Sequence, residues 1–567
     1  QVREWTLALA KDSCRCVSPM ASAVGSTSSA PPLTSLSSAN APLPEDKGHA
    51  CKRPRVEAEA ASSILEDYEA WLRGHNVWWD ERLRLRPPTK TSASGGLGAD
   101  RREDAVCEVG WGLACMQPVA RGELVVRVPC GAALSTKNMP RVRALLEGLP
   151  KHLRSMRDDV DCQLPLAVML LVVREEKAWR PKLRAEVTPS SCPVAWAWPS
   201  NSRAAGLLRG TELEAVVRAK RQRLWAEHSC LSGVLMANCS LEAYTEACAV
   251  VMSRVQPWWG GSLVPFVDQA NHTWGAPHVE FRRRGDCVEG RALRSIAVGE
   301  VLQSYGELSL ADSLYRYGMS PPVESAQAIR ARKGDVVTIG AELLVIATHR
   351  VQGENLSDAG VRSDATPQSA ELVNFAAVLK ARLPLLSKVG LLEESQWDGV
   401  EGELGVELSM LSGAKSGGAG KVKGVRKLVL AAGLLLVAQE RWAEATSRIH
   451  DDVSQSSLAE VLYALLLSVN GLSTAEVHAP PQQQTRRGAE VDLTKLLPTG
   501  IAWATPSMRA VAVEAVHLRD ARYPGDRSIE DDFADFDRVS GAEDERAALQ
   551  LRICERQILQ ATVRVLA

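Results

Sequence analysis

At 567 residues the chain is too long for one hydrophobic core, and its length predicts roughly three or four folding units. Hydrophobic residues make up 45% and charged residues 24%, the balance of an ordinary globular protein. A formal net charge of −1 gives no global basic field, so nucleic acid and anionic membrane are not expected partners.

Thirteen cysteines are scattered along the chain, and the closest pair is Cys14 and Cys16. No Cys-x-x-Cys or Cys/His cluster has the spacing of a zinc site, so no metal is expected and the thiols read as reduced. From Val17 to Pro44 no residue is charged, and Ser, Ala and Pro dominate. Such a segment buries too little apolar surface to offset its ordering entropy, which predicts a disordered leader over 1–62. Lys52-Arg53-Pro54-Arg55 reads as an incidental basic turn, with a nuclear-import signal as the sharper alternative. The Ser/Ala-rich leader keeps a plastid transit peptide beside cytoplasm and nucleus as a destination.

Order is predicted to begin near Ser63, where ILEDYEAWLRGHN has the periodicity of an amphipathic helix. The next stretch, CEVGWGLACMQPVARGELVVRVPCGAAL, alternates short β-rich runs with turns at Gly110 to Gly112 and Arg121-Gly122. Residues 135 to 250 switch to helical periodicity, as in LEAVVRAKRQRLWAEH and LEAYTEACAVVMSRV. Strand signals return from Leu263 to Tyr305, where HVEF, the turn RRGD and CVEGRAL read as a hairpin. After about residue 325 the chain is predicted to be mainly helical, with loops at Ser412 to Lys421 and Pro480 to Gly488. The last segment places Leu551, Ile558 and Val565 seven apart, with Cys554 and Ala561 between them, a stripe that must pack against something. The apolar runs Leu164 to Val173 and Leu428 to Ala438 fall short of the ~20 residues that cross a bilayer and read as core of a soluble protein.

Single motifs carry little. Val109-Gly110-Trp111-Gly112 lacks the third glycine or Lys-Ser/Thr of a phosphate loop and reads as a β-turn. A lone Tyr305 is more often a half-buried core tyrosine, and Arg254 at a helix end complements the helix dipole. Asn271-His272 by itself is more often a turn than a site.

Their order is informative. A Gly-x-Gly-Leu turn, a helical insertion, Ser-Arg, Val-Pro-Phe-x-Asp-x-x-Asn-His, Gly-Glu and two Tyr-Gly steps follow one another. This series resembles the SET-domain protein methyltransferases, specifically the Rubisco large-subunit methyltransferase-like branch, which includes lysine methyltransferases and the actin histidine methyltransferase. The resemblance spans about residues 64 to 320, and more weakly the rest, where RAALQLRICERQIL is similar to the last helix of the branch's substrate-binding domain. It implies an α+β fold: a β-rich SET domain over 63–325 with a helical insertion near 135–250, then a helical substrate-binding domain over 326–567. It implies S-adenosylmethionine as cofactor, bound by Val109, Gly110, Trp111, Arg254, Asn271 and His272. Tyr305 matches the catalytic tyrosine, Tyr317 the second aromatic of the target channel, and Asp268 a residue beside the cofactor pocket or that channel.

The expected partner is a non-histone protein substrate, and the expected oligomeric state is a monomer. Lysine is favoured over histidine as acceptor. Histidine-methylating relatives carry Asn and Trp where this chain has Gln256 and Val267, and Val267 offers no flat wall for an imidazole. Where the family has Glu, Asn and Phe, this chain has Val109, Leu310 and Met319. The substitutions at Val109 and Leu310 motivate a catalytically silent SET-fold interaction module as the alternative from another class, and a helical scaffold, suggested by the residues after 325, is the third.

Overall fold

The computed structural model describes residues 53–86, 112–135, 138–147, 163–173, 176–186, 194–232, 239–332, 334–358, 381–394, 404–410, 422–447, 461–462, 464–465, 501–524, 527–539 and 542–567. The predicted loops at 412–421 and 480–488 and the bulk of the leader lie outside them. The chain divides into two compact units, Gln1–Ser62 and Ser63–Ala567, and the second carries the sheets and both cores.

The first helix is longer than expected. It runs Arg53–Gly74 rather than starting near Ser63, so Arg53 to Arg55 are helical and not a basic turn. Pro54 stands in the first turn, where its missing N–H costs nothing, and VEAEAASS supplies helix formers. Its buried face is Tyr68, Trp71 and Leu72, the i, i+3, i+4 spacing that the amphipathic reading requires.

Three of the described sheets lie before residue 305. One is formed by β1 (Trp78–Trp79), β4 (Leu124–Pro129), β9 (Cys287–Ala292) and β8 (Val279–Arg284). A second is formed by β2 (Leu83–Arg86), β3 (Gly112–Cys115), β10 (Gly299–Gln303) and β7 (Asn271–His272), while β5 (Leu134–Ser135) pairs with β6 (Ser262–Leu263). The predicted hairpin is β8–β9, with Arg284 opposite Cys287 and a Gly285-Asp286 turn in which Gly285 has φ 59°. The two helical periodicities become the Glu212–Ser232 and Leu241–Arg254 helices, the second capped by the Ser240 hydroxyl accepting from Ala243 N–H at 3.2 Å. The apolar run at 164–173 is the Gln163–Val173 helix, sealed in the core at Leu166 to Met169.

Beyond residue 325 helices dominate, but a further sheet is present: β11 (Val336–Gly340), β13 (Leu404–Met410) and β12 (Glu393–Glu394), with β14 (Val422–Lys423) on β13. Its central strands read VVTIG and LGVELSM, short β-branched alternations that helical neighbours obscure in the sequence. Around this sheet pack Ala341–Asp358, Val425–Leu435 and Pro506–Asp520.

Two hydrophobic cores result, one drawn mostly from residues before 332 and the other from those after 336. The closing helix, Glu543–Leu566, serves both. Leu551 and Cys554 lie in the first core, and Ile558 and Leu559 in the second. A buried polar cluster also ties the parts. Arg519 donates to the Thr338 carbonyl and to Glu212, and Glu555 accepts from the Glu212 N–H at 3.0 Å and the Tyr523 hydroxyl at 2.7 Å. Burial raises the Glu555 carboxyl to about 8, opposed by neighbouring Arg519. Gly210 fits beneath this cluster with φ 80°, its Cβ position only 2.6 Å from the Arg522 carbonyl oxygen.

Candidate active site

Strand β10 positions the site. It pairs antiparallel with β3 on one side and parallel with β7 on the other, setting Leu302 opposite Asn271 and Gln303 opposite His272. Just past the strand, the Tyr305 N–H donates to His272 Nδ1 at 3.1 Å, and the Thr273 N–H donates to the Gln303 carbonyl at 2.9 Å. Gly306 then turns the chain away with φ 107°, a conformation glycine adopts without penalty. The Asn-His pair and the Tyr-Gly step, some thirty residues apart in sequence, are thus joined by direct hydrogen bonds.

The turn preceding Asn271 is held from several directions. Gln303 Nε2 donates to the Val267 carbonyl at 2.9 Å and to the Ala270 carbonyl at 2.8 Å, and the Tyr305 hydroxyl donates to that same Ala270 carbonyl at 3.1 Å. At the end of the Leu241–Arg254 helix, the Arg254 guanidinium donates to the Asp268 carbonyl at 2.7 Å. The Gln269 side chain closes the turn on itself by accepting from the Phe266 N–H at 2.7 Å. Phe266 has φ 67°, a left-handed conformation that a bulky residue adopts only where its surroundings over-determine it. Behind the turn, Lys182 Nζ lies 3.6 Å from Asp268 Oδ2, both side chains fully buried.

A row of rings crosses the site. Trp274 meets His272 edge-on at 4.7 Å, His272 lies 5.1 Å from Tyr305, and Tyr305 lies 4.6 Å from Tyr317. The Arg332 guanidinium covers the outer face of Trp274 at 4.3 Å. Burial, reinforced by the Arg332 charge, lowers the His272 pKa to about 4, so the imidazole is neutral at physiological pH. Because Nδ1 accepts from Tyr305, the proton belongs on Nε2, which is buried and has no partner among the described residues. Burial also raises the Tyr317 phenol, so this tyrosine keeps its proton as well. The rings that cross the site are therefore uncharged, while the Arg254 and Arg332 guanidiniums stand against the turn and against Trp274.

The structure brings together Arg254, Asp268, Asn271, His272, Tyr305 and Tyr317. Val267 contributes its carbonyl to this group, since its side chain is fully buried in the first core. Gln256 is fixed by a two-way backbone bridge to Ser262. Val109, Gly110 and Trp111 lie outside the described residues. Of the family departures, Leu310 opens the Leu310–Arg316 helix, is packed in the first core and donates its N–H to Asp335 at 2.7 Å. Sequence reasoning missed Gln303, Trp274, Arg332 and Lys182. Trp274, two residues past His272, and Gln303, two residues before Tyr305, lay beside the motifs, whereas Arg332 and Lys182 reach the site from distant parts of the chain.

No protein-family model matches the chain, and no curated protein sequence matches it. Solved structures do. The chain is similar to Rubisco LSMT bound to AdoMet, with a TM-score of 0.53, 13% identity and coverage of 89% of this chain and 91% of that one. It is similar to Rubisco LSMT bound to sinefungin and monomethyllysine, with a TM-score of 0.52, 13% identity and the same 89% and 91% coverage. The SET domain of LSMT bound to methyllysine and AdoHcy gives a TM-score of 0.52 at 14% identity over the same shares. This likeness, at such low identity, is one of fold: the chain has the α+β fold of the SET-domain LSMT structures.

Proposed function

We propose that the protein is an S-adenosylmethionine-dependent protein methyltransferase, most specifically a lysine N-methyltransferase acting on a non-histone protein. The observation that carries this reading is the joining of Tyr305 to the Asn271-His272 strand, through its N–H to His272 Nδ1 and its hydroxyl to Ala270. The solved structures of the same fold carry AdoMet or its analogues, and two of them carry methylated lysine.

The residues present fit such a cofactor. A histidine held neutral adds no positive charge beside a sulfonium, and the packed Tyr305 and Tyr317 rings offer a cation their π faces. Arg254, Asn271 and His272 would hold the cofactor, together with Val109, Gly110 and Trp111. When bound, S-adenosylmethionine supplies a methyl group on a sulfonium leaving group.

The chain's own groups then act chiefly by placement, which is the main requirement of a displacement at carbon. Tyr305 donates its hydroxyl proton to Ala270, and its oxygen would accept an N–H of the incoming amine. That contact orients the nitrogen lone pair along the line of attack. Tyr305 and Tyr317 flank a lysine stem with apolar ring faces, excluding water and favouring the uncharged amine. A catalytically silent module has no need of this arrangement. Helices beyond residue 340 form the docking surface for the protein substrate in this reading.

Calorimetry with S-adenosylmethionine tests the cofactor, and methyl transfer to a cell lysate followed by mass spectrometry tests the activity. Micromolar binding and modified lysines are expected. No binding, or methyl groups found only on imidazole nitrogens, would overturn the reading in its first or second part respectively.

A further inference from the structure

The turn carrying Asp268 receives side chains from almost every direction, and most of them grip its backbone. Gln303 and Tyr305 hold the Val267 and Ala270 carbonyls from the strand side, and Arg254 holds the Asp268 carbonyl. The Asp268 carboxylate is held differently. It reaches Lys182, which comes from the short Arg180–Glu186 helix of the insertion, distant in sequence and outside the SET motifs. Both side chains are fully buried, so neither charge is screened by solvent, and the pair resists separation. Phe266, at the other end of the turn, sits at φ 67°. A backbone so disposed relaxes when its clamps are loosened.

We propose that Lys182 is a positioning residue of the active site: its buried ion pair with Asp268 pins the Phe266–Ala270 turn against Gln303, Tyr305 and Arg254, and so sets where Asn271 and His272 meet the cofactor. This rests on the methyltransferase reading. The helical insertion is then more than a cover over the sheet, because one of its residues fixes the geometry of the cofactor strand. A shift of the turn also moves the Ala270 carbonyl that orients the Tyr305 hydroxyl, so binding and turnover both depend on Lys182.

The test uses the full chain as wild type, Lys182→Met, and the double variant Lys182→Met/Asp268→Asn, with thermal unfolding and calorimetric S-adenosylmethionine binding on each. Lys182→Met removes the Lys182 charge from beside a buried carboxylate, so both the melting temperature and the affinity fall, the affinity by ~10-fold or more. The double variant is neutral and of similar volume, so the melting temperature recovers while the affinity stays low, because a neutral pair exerts no charge attraction to draw the turn into place. Should Lys182→Met fail to fold, the double variant alone carries the comparison. Recovery of both properties in the double variant shows a merely structural ion pair and overturns the proposal, as does wild-type affinity in Lys182→Met. Absence of binding by the wild type overturns the methyltransferase reading, and this inference with it.

Discussion

Replacing Tyr305 by Phe separates chemistry from binding and stability, and the hydrogen-bond pattern says how far. The hydroxyl donates to the Ala270 carbonyl at 3.1 Å, but that carbonyl also accepts from Gln303 Nε2 at 2.8 Å. Its removal therefore leaves no buried acceptor unsatisfied, and the stability cost is limited to one neutral bond, about 1 kcal/mol or less. The ring contacts to His272 and Tyr317 persist, as does the backbone bond from Tyr305 N–H to His272 Nδ1, so the cofactor strand stays in place. On the proposed methyltransferase reading, what disappears is the oxygen that would orient the acceptor nitrogen. A positioned polar group of this kind is worth ~10²–10³ in rate, about 3–4 kcal/mol of barrier. Single-turnover methyl transfer with saturating S-adenosylmethionine should fall by that factor, while calorimetric affinity and melting temperature stay within error of wild type. Undiminished turnover would remove Tyr305 from the mechanism. A parallel loss of cofactor affinity would show instead that the phenol holds the turn rather than the substrate.

Gln303→Leu should destabilise the fold by about 1–3 kcal/mol in chemical denaturation, because two buried hydrogen bonds of roughly 0.5–1.5 kcal/mol each are lost, although the Val267 carbonyl keeps the Ala270 N–H and the Ala270 carbonyl keeps Tyr305. His272 is held neutral with its pKa lowered to about 4, so the native state binds its proton less readily than the unfolded chain does. Its stabilising contribution is full above about pH 6.5 and declines as pH falls toward about 4; the gap in melting temperature between wild type and His272→Gln should narrow over that window and stay constant above it. Gly210→Ala combines an unfavourable φ of 80° with a Cβ 2.6 Å from the Arg522 oxygen and should cost more than ~1 kcal/mol, measured by urea titration. Truncation after residue 325 removes Phe536, Leu549, Leu551 and Ile553 from the first core, so the product should aggregate rather than persist as a cofactor-binding fragment; a soluble, cooperatively melting truncation would contradict this.

The fold was legible wherever local periodicity and burial agreed. Tyr68, Trp71 and Leu72 mark a helix face, HVEF and CVEGRAL mark a hairpin, and the seven-residue stripe from Leu551 marks the closing helix. Where local signals competed, the reading slipped. The Arg53–Gly74 helix begins inside a segment read as leader, because Ala and Glu make good helix and also resemble polar filler. Strands β11 and β13 were absorbed into a helical reading, since runs as short as VVTIG acquire their identity from a partner strand far along the chain.

The site divides in the same way. The identities of Arg254, Asp268, Asn271, His272, Tyr305 and Tyr317 were available from the order of motifs. That Tyr305 bonds His272, that the imidazole is neutral, and that Lys182 stands behind Asp268 were not. Sequence patterns record what each segment needs from its immediate neighbours, a period of two or of 3.6 and a residue that tolerates a turn. Desolvation, charge pairing and convergence of side chains from different elements depend on distances that exist only once the chain has closed. Lys182 had no motif because a lysine in a short helix looks like surface until Asp268 is brought to within 3.6 Å of it and both are sealed from water.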